Sequence, residues 1–455
     1  MIQSVYSRAL EIFDRLFVNP LIRRILKNSG YLFSATGVSA FMSMLQGILA
    51  ARLLGPANFG VLGAVTTFTS TLNRLASFRM NELVVRYVGQ YQEHGEPLKA
   101  AAAFKTASLL EMGSSLLAFG LIWILAPFGA QFFAHDPGLA VWFRIYGSIV
   151  LANLISESAT GFLQVFDRFR DIAIITAVQS AVTLALIAIA FFAQAGLFAI
   201  ILAYMAGKII GALAYTAAAL VIARQQWGGG WWRAPFSSLA DQRRSVLTFA
   251  LSTNLSGTIS LIAKDSEVLW VSGFLGTTEA GYYKLALALA NMLQLPISPL
   301  PKATYPELSR EIARRSWENA RYILRQGSRL AAAYSLPVTL LLVLFGQWII
   351  AYVYGFEYLP AYPALVILLI GYTFVNIFYW NRVALLSLSR PVFPTLVNFL
   401  GMILKIAAIY WLVPGYGYVA FAAILSGYYL FTVGIAAARV YGDLRWRTTL
   451  ESSPS

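Results

Sequence analysis

Apolar runs of about twenty residues recur from residue 31 to residue 439, separated by short polar turns. An α-helix needs ~20 apolar residues to cross the ~30 Å hydrocarbon core of a bilayer. Barrel strands would instead alternate over about ten residues, so the pattern dictates a bundle of spanning helices. The balance of residue types agrees: 58% of the 455 residues are hydrophobic and 12% are charged, against roughly 25% charged in a soluble domain. No stretch is left for a large soluble domain. The runs predict twelve spans, over 31–54, 59–86, 104–128, 141–165, 172–193, 197–222, 247–274, 279–304, 328–350, 361–383, 392–413 and 417–439.

The formal net charge of +14 has a membrane explanation. With the N-terminus placed inside, basic residues crowd the loops on that side, and only Arg52, Arg144 and Lys284 fall on the other. The positive-inside rule then puts both termini in the cytoplasm, and no nucleic-acid partner is needed. Residues 1–30 are charged and amphipathic and lack a small-residue cleavage pattern, so they read as an interfacial segment against membrane lipids rather than a signal peptide. The expected divisions are this segment (1–30), an N-lobe (31–223), a cytoplasmic linker (224–246), a C-lobe (247–440) and a cytoplasmic tail (441–455). In the linker, Gly228-Gly229-Gly230 predicts a flexible joint, and its tryptophans suit the headgroup layer.

The first span ends in Leu54-Gly55-Pro56-Ala57-Asn58-Phe59-Gly60, and the same Leu-Gly-x4-Gly spacing returns at Leu275-Gly276-Thr277-Thr278-Glu279-Ala280-Gly281. Both glycines are displaced by 221 positions, and the linker divides the spans six and six. A same-direction repeat of six helices predicts two lobes related by an axis along the membrane normal. The glycines are expected to let the chain reverse tightly.

Ten charges fall inside the spans: Arg74, Arg79, Lys208, Lys264, Lys405, Glu82, Glu111, Glu157, Asp265 and Glu267. Each costs about 2.5–3.5 kcal/mol at a helix centre, so they should face a bundle interior or a wet cavity. On span two, Arg79, Glu82 and Arg86 share a face and form either a self-neutralising ladder or an anion-binding wall. On span seven, Lys264 and Glu267 are three apart and are expected to pair. Asp265 points about 100° away and wants another partner, a coupling ion or a proton. Spans nine to twelve hold no acid, so Lys405 calls for a bound anion or a cross-bundle pair. Pro296, Pro299 and Pro301 bend span eight, as a hinge or as a static kink.

Several chemistries are missing. The chain has no cysteine, and its two histidines, His94 and His135, lie in loops on opposite sides. No triad, metal cluster or P-loop can be assembled, so neither catalysis nor ATP hydrolysis is expected.

Ala51-Arg52-Leu53-Leu54-Gly55-Pro56-Ala57-Asn58-Phe59-Gly60 resembles the first-loop signature of the polysaccharide-unit flippases (Wzx-type). These belong to the MOP (multidrug/oligosaccharidyl-lipid/polysaccharide) exporter superfamily, which also holds multidrug exporters and the lipid II flippase. Leu83-Val84-Val85-Arg86-Tyr87 is similar to that family's end of span two. Glu267 through Gly276 and Gly281-Tyr282-Tyr283 resembles its seventh-span signature, with Glu267 in the place of an acid nine residues before the glycine. Tyr305-Pro306-Glu307-Leu308 resembles its end of span eight. Phe78-Arg79-Met80 departs from a small glycine-containing run there, which marks Arg79 as a substrate-specific feature.

The resemblance implies an all-α, MATE-like bundle of about twelve transmembrane helices in two pseudo-symmetric six-helix lobes. It implies a transporter of the bacterial cytoplasmic (inner) membrane that is not an enzyme. The cargo would be an undecaprenyl-pyrophosphate-linked oligosaccharide of the O-antigen, capsule or exopolysaccharide kind, moved by alternating access. No cofactor is expected beyond a coupling proton or sodium ion. Polymerase and chain-length proteins of the same pathway are expected partners. In that frame Arg52, Arg74, Arg79, Lys208, Lys264 and Lys405 are the substrate-binding residues of the cavity. Glu82, Asp265 and Glu267 are the ion-coupling residues, and the three prolines are the hinge. Two rivals remain: an ion-coupled multidrug exporter, whose cationic drugs would want an acidic cavity, and a membrane polymerase or glycosyltransferase, which would want a large outer loop.

Overall fold

Two glycines fold long helices into hairpins. In a computed structural model of the chain, in which residues 20–77, 80–236 and 258–452 are described, α1 (Pro20–Ala76) is interrupted only at Gly55, with φ 69° and ψ 171°. That left-handed φ is open to glycine at little cost, and Pro56 begins the next limb where its missing N–H would have had no partner. The last helix, α15 (Val392–Ser452), folds back in the same way at Gly417, φ 58°. Residues 20–30 run helically into the first span; residues 1–19 of the expected interfacial segment lie outside the described residues.

Between the hairpins come α2 (Met80–Glu93), α3 (Pro97–Phe133), α4 (Ala140–Gly147), α5 (Ile149–Ala152), α6 (Ser156–Val165), α7 (Phe169–Phe192) and α8 (Leu197–Trp227). A π-helical turn at Leu261–Asp265 leads into α9 (Glu267–Phe274), α10 (Thr277–Met292), α11 (Leu300–Ala313) and α12 (Trp317–Ile349). A second π-turn, Ile350–Tyr354, precedes α13 (Ala361–Ile377) and α14 (Asn381–Ser387). Eight described helical stretches are long and apolar enough to cross a membrane. The hairpins α1 and α15 each supply two crossings, and the shorter α9 and α10 with their continuations supply two more. The chain is therefore an all-α membrane protein of about twelve spans. Exposed apolar side chains such as Phe192 (81% exposed) and Ile124 (72%) belong against lipid, where apolar exposure costs nothing.

Four expected spans are not continuous helices. Span two stops at Ala76 and restarts at Met80, span four is broken between Ala152 and Ser156, and span eight between Met292 and Leu300. Span ten breaks likewise between Ile377 and Asn381. The second and fourth helices of each half are thus the broken ones, so the repeat extends from sequence to element order. A break inside a bilayer frees backbone groups that must find partners. The Met80 amide donates to Glu157 Oε2 at 3.1 Å, and the Glu157 and Ser158 amides donate to the two oxygens of buried Glu111, both at 2.8 Å. Two of the in-span acids are therefore helix caps, favoured by the positive end of the helix dipole. In the second half the freed Leu293 carbonyl accepts from Asn376 Nδ2 at 2.9 Å.

The described residues cluster into two compact units. One takes those of 1–49, 76–120 and 148–254, the other those of 50–75, 121–147 and 255–455. Each of the first four spans is divided part-way along its length between the units. In the first unit the rings of Phe104, Phe162, Trp227 and Trp231 pack with centroids 4.4–6.3 Å apart. The glycines expected to form a flexible joint lie between Trp227 and Trp231, and of the linker 224–246 residues 224–236 are described. Gly228 (φ 80°) ends α8, Trp231 returns to the aromatic core, and the Ala234 carbonyl accepts from Lys105 Nζ at 3.2 Å. The linker is anchored as far as Phe236 because its tryptophans find an apolar core to enter.

In the second unit the two Leu-Gly-x4-Gly copies touch. A Cβ on Gly60 would lie 1.7 Å from the Thr277 carbonyl oxygen, and one on Gly281 would lie 2.0 Å from that of Pro56. Only glycine fits either position. The first glycine of each motif makes the turn, as Gly276 also has a positive φ of 133°. The second lets the start of one repeat's helix cross the other.

Candidate functional site

Charge from three parts of the second unit converges on one cavity. The π-turn at Leu261–Asp265 sets the arrangement: the Ser266 amide reaches back to the Leu261 carbonyl at 3.0 Å, which inserts an extra residue into the turn. That shift of register separates Lys264 from Glu267 and overturns their expected pairing. Glu267 instead turns inward, 1% exposed, and forms an ion pair with Lys405, which is 3% exposed. Its second oxygen accepts the Tyr283 hydroxyl at 2.7 Å, and Lys405 also donates to the Ala263 carbonyl at 2.6 Å. Both charges are compensated and hydrogen-bonded, the condition for stable burial of a charged pair. Lys405 was expected to meet a bound anion or a residue of the other bundle; its partner is instead Glu267 of span seven, in the same half of the chain.

Asp265 faces the other way and takes Arg74, with Nη1 to Oδ2 at 2.9 Å and both side chains partly exposed. Lys264 is exposed beside them and has no ion-pair partner among the described residues. The surrounding cavity has a volume of about 520 Å³, and Arg74, Lys264, Asp265, Glu267 and Lys284 supply its charges. Asn291, Gln294, Tyr372 and Tyr429 add neutral polar groups. Lys284, which sequence placed at the outer end of span eight, reaches the cavity wall. Its Nζ donates to the Phe59 carbonyl at 3.3 Å and lies 4.0 Å from the centre of the Phe59 ring.

The remaining sequence candidates lie elsewhere. Arg52 donates to the Tyr352 carbonyl at 2.7 Å, satisfying an acceptor in the second π-turn, and does not line the cavity. Lys208 on α8 and Glu82 on α2 are exposed residues of the first unit. Arg79 lies outside the described residues. Pro296 sits in the break between α10 and α11, Pro299 is the residue just before α11, and Pro301 is in its first turn. Sequence reasoning did not assign Lys284, Tyr283, Tyr372 or Tyr429 to the site; Lys284 carried a signal as a lone basic residue near the end of an apolar run, and Tyr283 as part of the Gly281-Tyr282-Tyr283 signature. With Lys405 behind the wall, four cations face two carboxylates, Asp265 and Glu267, leaving a formal excess of two positive charges. Such a wall holds anions through charge-assisted hydrogen bonds.

Solved structures of membrane transporters superpose on this chain. An inward-facing multidrug resistance MATE family transporter of the MOP superfamily matches with a TM-score of 0.74 at 13% identity, covering 91% of this chain and 96% of that one. The lipid II flippase MurJ, in an inward closed conformation, matches with a TM-score of 0.68 at 14% identity, over 90% and 87% of the two chains. At these identities the likeness establishes the MOP exporter fold. The chain belongs to the polysaccharide biosynthesis protein family, which matches residues 25–311. A curated relative, the inner membrane protein YghQ of Escherichia coli (strain K12), is 26% identical over 353 residues, 76% of this chain and 97% of that protein.

Proposed function

We propose that this protein is a flippase that carries an anionic, undecaprenyl-pyrophosphate-linked oligosaccharide across the bacterial inner membrane. The cationic excess of the cavity carries the reading: Arg74, Lys264, Lys284 and Lys405 outnumber Asp265 and Glu267. A pyrophosphate diester bears about two negative charges near neutrality, since its remaining acidic groups ionise well below pH 7. Its charge therefore matches the excess of the wall. Membership of the polysaccharide biosynthesis family supports a saccharide cargo, and the MOP exporter fold supports alternating access. A cationic drug would meet the wrong sign of field, so the multidrug reading is disfavoured.

Transport then proceeds as an exchange of partners. The arriving anion competes with Asp265 for Arg74, and the released carboxylate takes a proton or a sodium ion as the coupling charge. Glu267 stays neutralised by Lys405 and holds span seven in place. The breaks at Ala76–Met80 and Met292–Leu300, the second with its prolines, are where helix segments reorient. The distribution of Arg and Lys supports a cytoplasmic side for both termini, and in this reading the polymerase of the same pathway receives the cargo outside.

The test is deletion followed by leaflet-specific labelling of lipid-linked oligosaccharide. The expected result is accumulation on the inner leaflet. Accumulation of unpolymerised units on the outer leaflet would identify a polymerase instead. Arg74→Gln with Lys284→Gln should insert normally and lose most export; full export by that variant would remove the cavity from the mechanism.

A further inference from the structure

A smaller cavity of about 220 Å³ adjoins the larger one and shares Lys264 and Tyr429 with it. It lies wholly within the second unit, between the π-turn of span seven, α14 and the two limbs of α15. Its two charged residues are both cations: Lys264 from the π-turn and Arg382 from the first turn of α14. No carboxylate lines it, and neither cation has an ion-pair partner among the described residues. Ser260, Asn398 and Tyr428 add neutral hydrogen-bonding groups. The Tyr428 hydroxyl donates to Asn398 Oδ1 at 3.4 Å, so the amide nitrogen of Asn398 is left as a donor. The other walls, including Ile259, Leu386 and Val433, are apolar.

Two exposed cations that line one pocket without a carboxylate favour a bound anion there. The volume lies below the ~300–1,000 Å³ of sites for drug-sized ligands, so one small group fits and an oligosaccharide does not. A guanidinium presents a planar fork, an ammonium a point charge, and hydroxyl and amide donors complete a tetrahedral oxyanion. We propose that this pocket is a phosphate-binding site, distinct from the large cavity, whose apolar walls accept the hydrocarbon attached to a lipid phosphate. The inference is separable from the transport reading through Arg382 and Asn398, which line only the small pocket, whereas Lys264 and Tyr429 line both.

The phosphate can come from a membrane lipid or from free solution, and binding measurements separate the sources. Full-length protein carrying Arg74→Gln, which removes one cation that lines only the large cavity, is placed in nanodiscs of neutral phosphatidylcholine. It is titrated calorimetrically with inorganic phosphate and with pyrophosphate. Parallel nanodiscs containing phosphatidylglycerol are examined by native mass spectrometry for retained lipid. One saturable phosphate-bearing ligand per chain is expected, weakened roughly tenfold by Arg382→Gln and less by Arg382→Lys. Asn398→Leu, which leaves every charge in place, should weaken it as well and covers the case in which Arg382→Gln fails to fold. Binding of phosphate or pyrophosphate in neutral discs identifies a soluble anion; retention of phosphatidylglycerol alone identifies a headgroup. The proposal is overturned if the Arg74→Gln protein binds none of the three probes. It is equally overturned if the residual binding is indifferent to both Arg382→Gln and Asn398→Leu.

Discussion

Glu267 and Lys405, 1% and 3% exposed, neutralise each other inside the second unit, and the consequences of removing either partner are asymmetric. Lys405→Met leaves a carboxylate stranded, which costs about 3–5 kcal/mol for a buried pair broken on one side. The double variant Lys405→Met/Glu267→Leu removes both charges and should recover most of that loss. Thermal denaturation of the purified protein in detergent measures both; equal melting of Lys405→Met and wild type would refute the pairing. Tyr283→Phe removes one hydrogen bond to Glu267 and should cost only about 1 kcal/mol. At this scale the sequence showed which residues were anomalous but not their partners. Counting three residues from Lys264 to Glu267 assumes α-helical turns, and the π-turn breaks that count. Lys284 misled for a different reason. It lies seven residues beyond Thr277, where α10 begins, or ~10 Å along a helix, so depth counting put it near the membrane surface.

Helix breaks govern the element scale. The break before Leu300 was legible because prolines cannot donate to the helical ladder. The break before Met80 carried no such signal: the group that stabilises it, Glu157, is 77 positions away. Glu157→Ala should therefore loosen the start of α2 by about 0.5–2 kcal/mol, as other lost caps do. Faster hydrogen exchange at the Met80 amide, with exchange in α7 unchanged, is the expected reading; unchanged exchange at Met80 would exclude the cap. Gly60→Ala forces a methyl onto the Thr277 carbonyl and should destabilise the fold and abolish activity in the transport assay. Gly47→Ala, where nothing lies within 4 Å of the added carbon, is the matched control and should behave as wild type. The motif was readable as a marker of repetition, but the task of its second glycine emerges only when the two copies meet.

At the scale of the whole molecule, the twelve apolar runs and the six-plus-six repeat were visible in the periodicity of the chain. The partition into compact units was not, because it depends on which ends of helices touch. The second unit draws residues 50–75 and 121–147 from the first half of the chain, so residues 237–455 expressed alone lack part of their own core. That fragment should be digested rapidly by trypsin in membranes, and co-expression of residues 1–236 should restore resistance. A protease-resistant fragment without its complement would show that the second half folds independently.

The crossing of Gly60 over Thr277 and of Gly281 over Pro56 bears on ancestry. Under the displacement of 221, Gly60 maps onto Gly281 and Pro56 onto Thr277, so the two contacts are one contact made twice. A six-helix precursor pairing with its own copy about a two-fold axis would already form it, because self-complementary surfaces meet twice in such a dimer. Gene fusion then needed to invent no new interface at this end of the protein. It also binds the descendants: a bulkier residue at either glycine disturbs both copies, so drift at one site is constrained by the other.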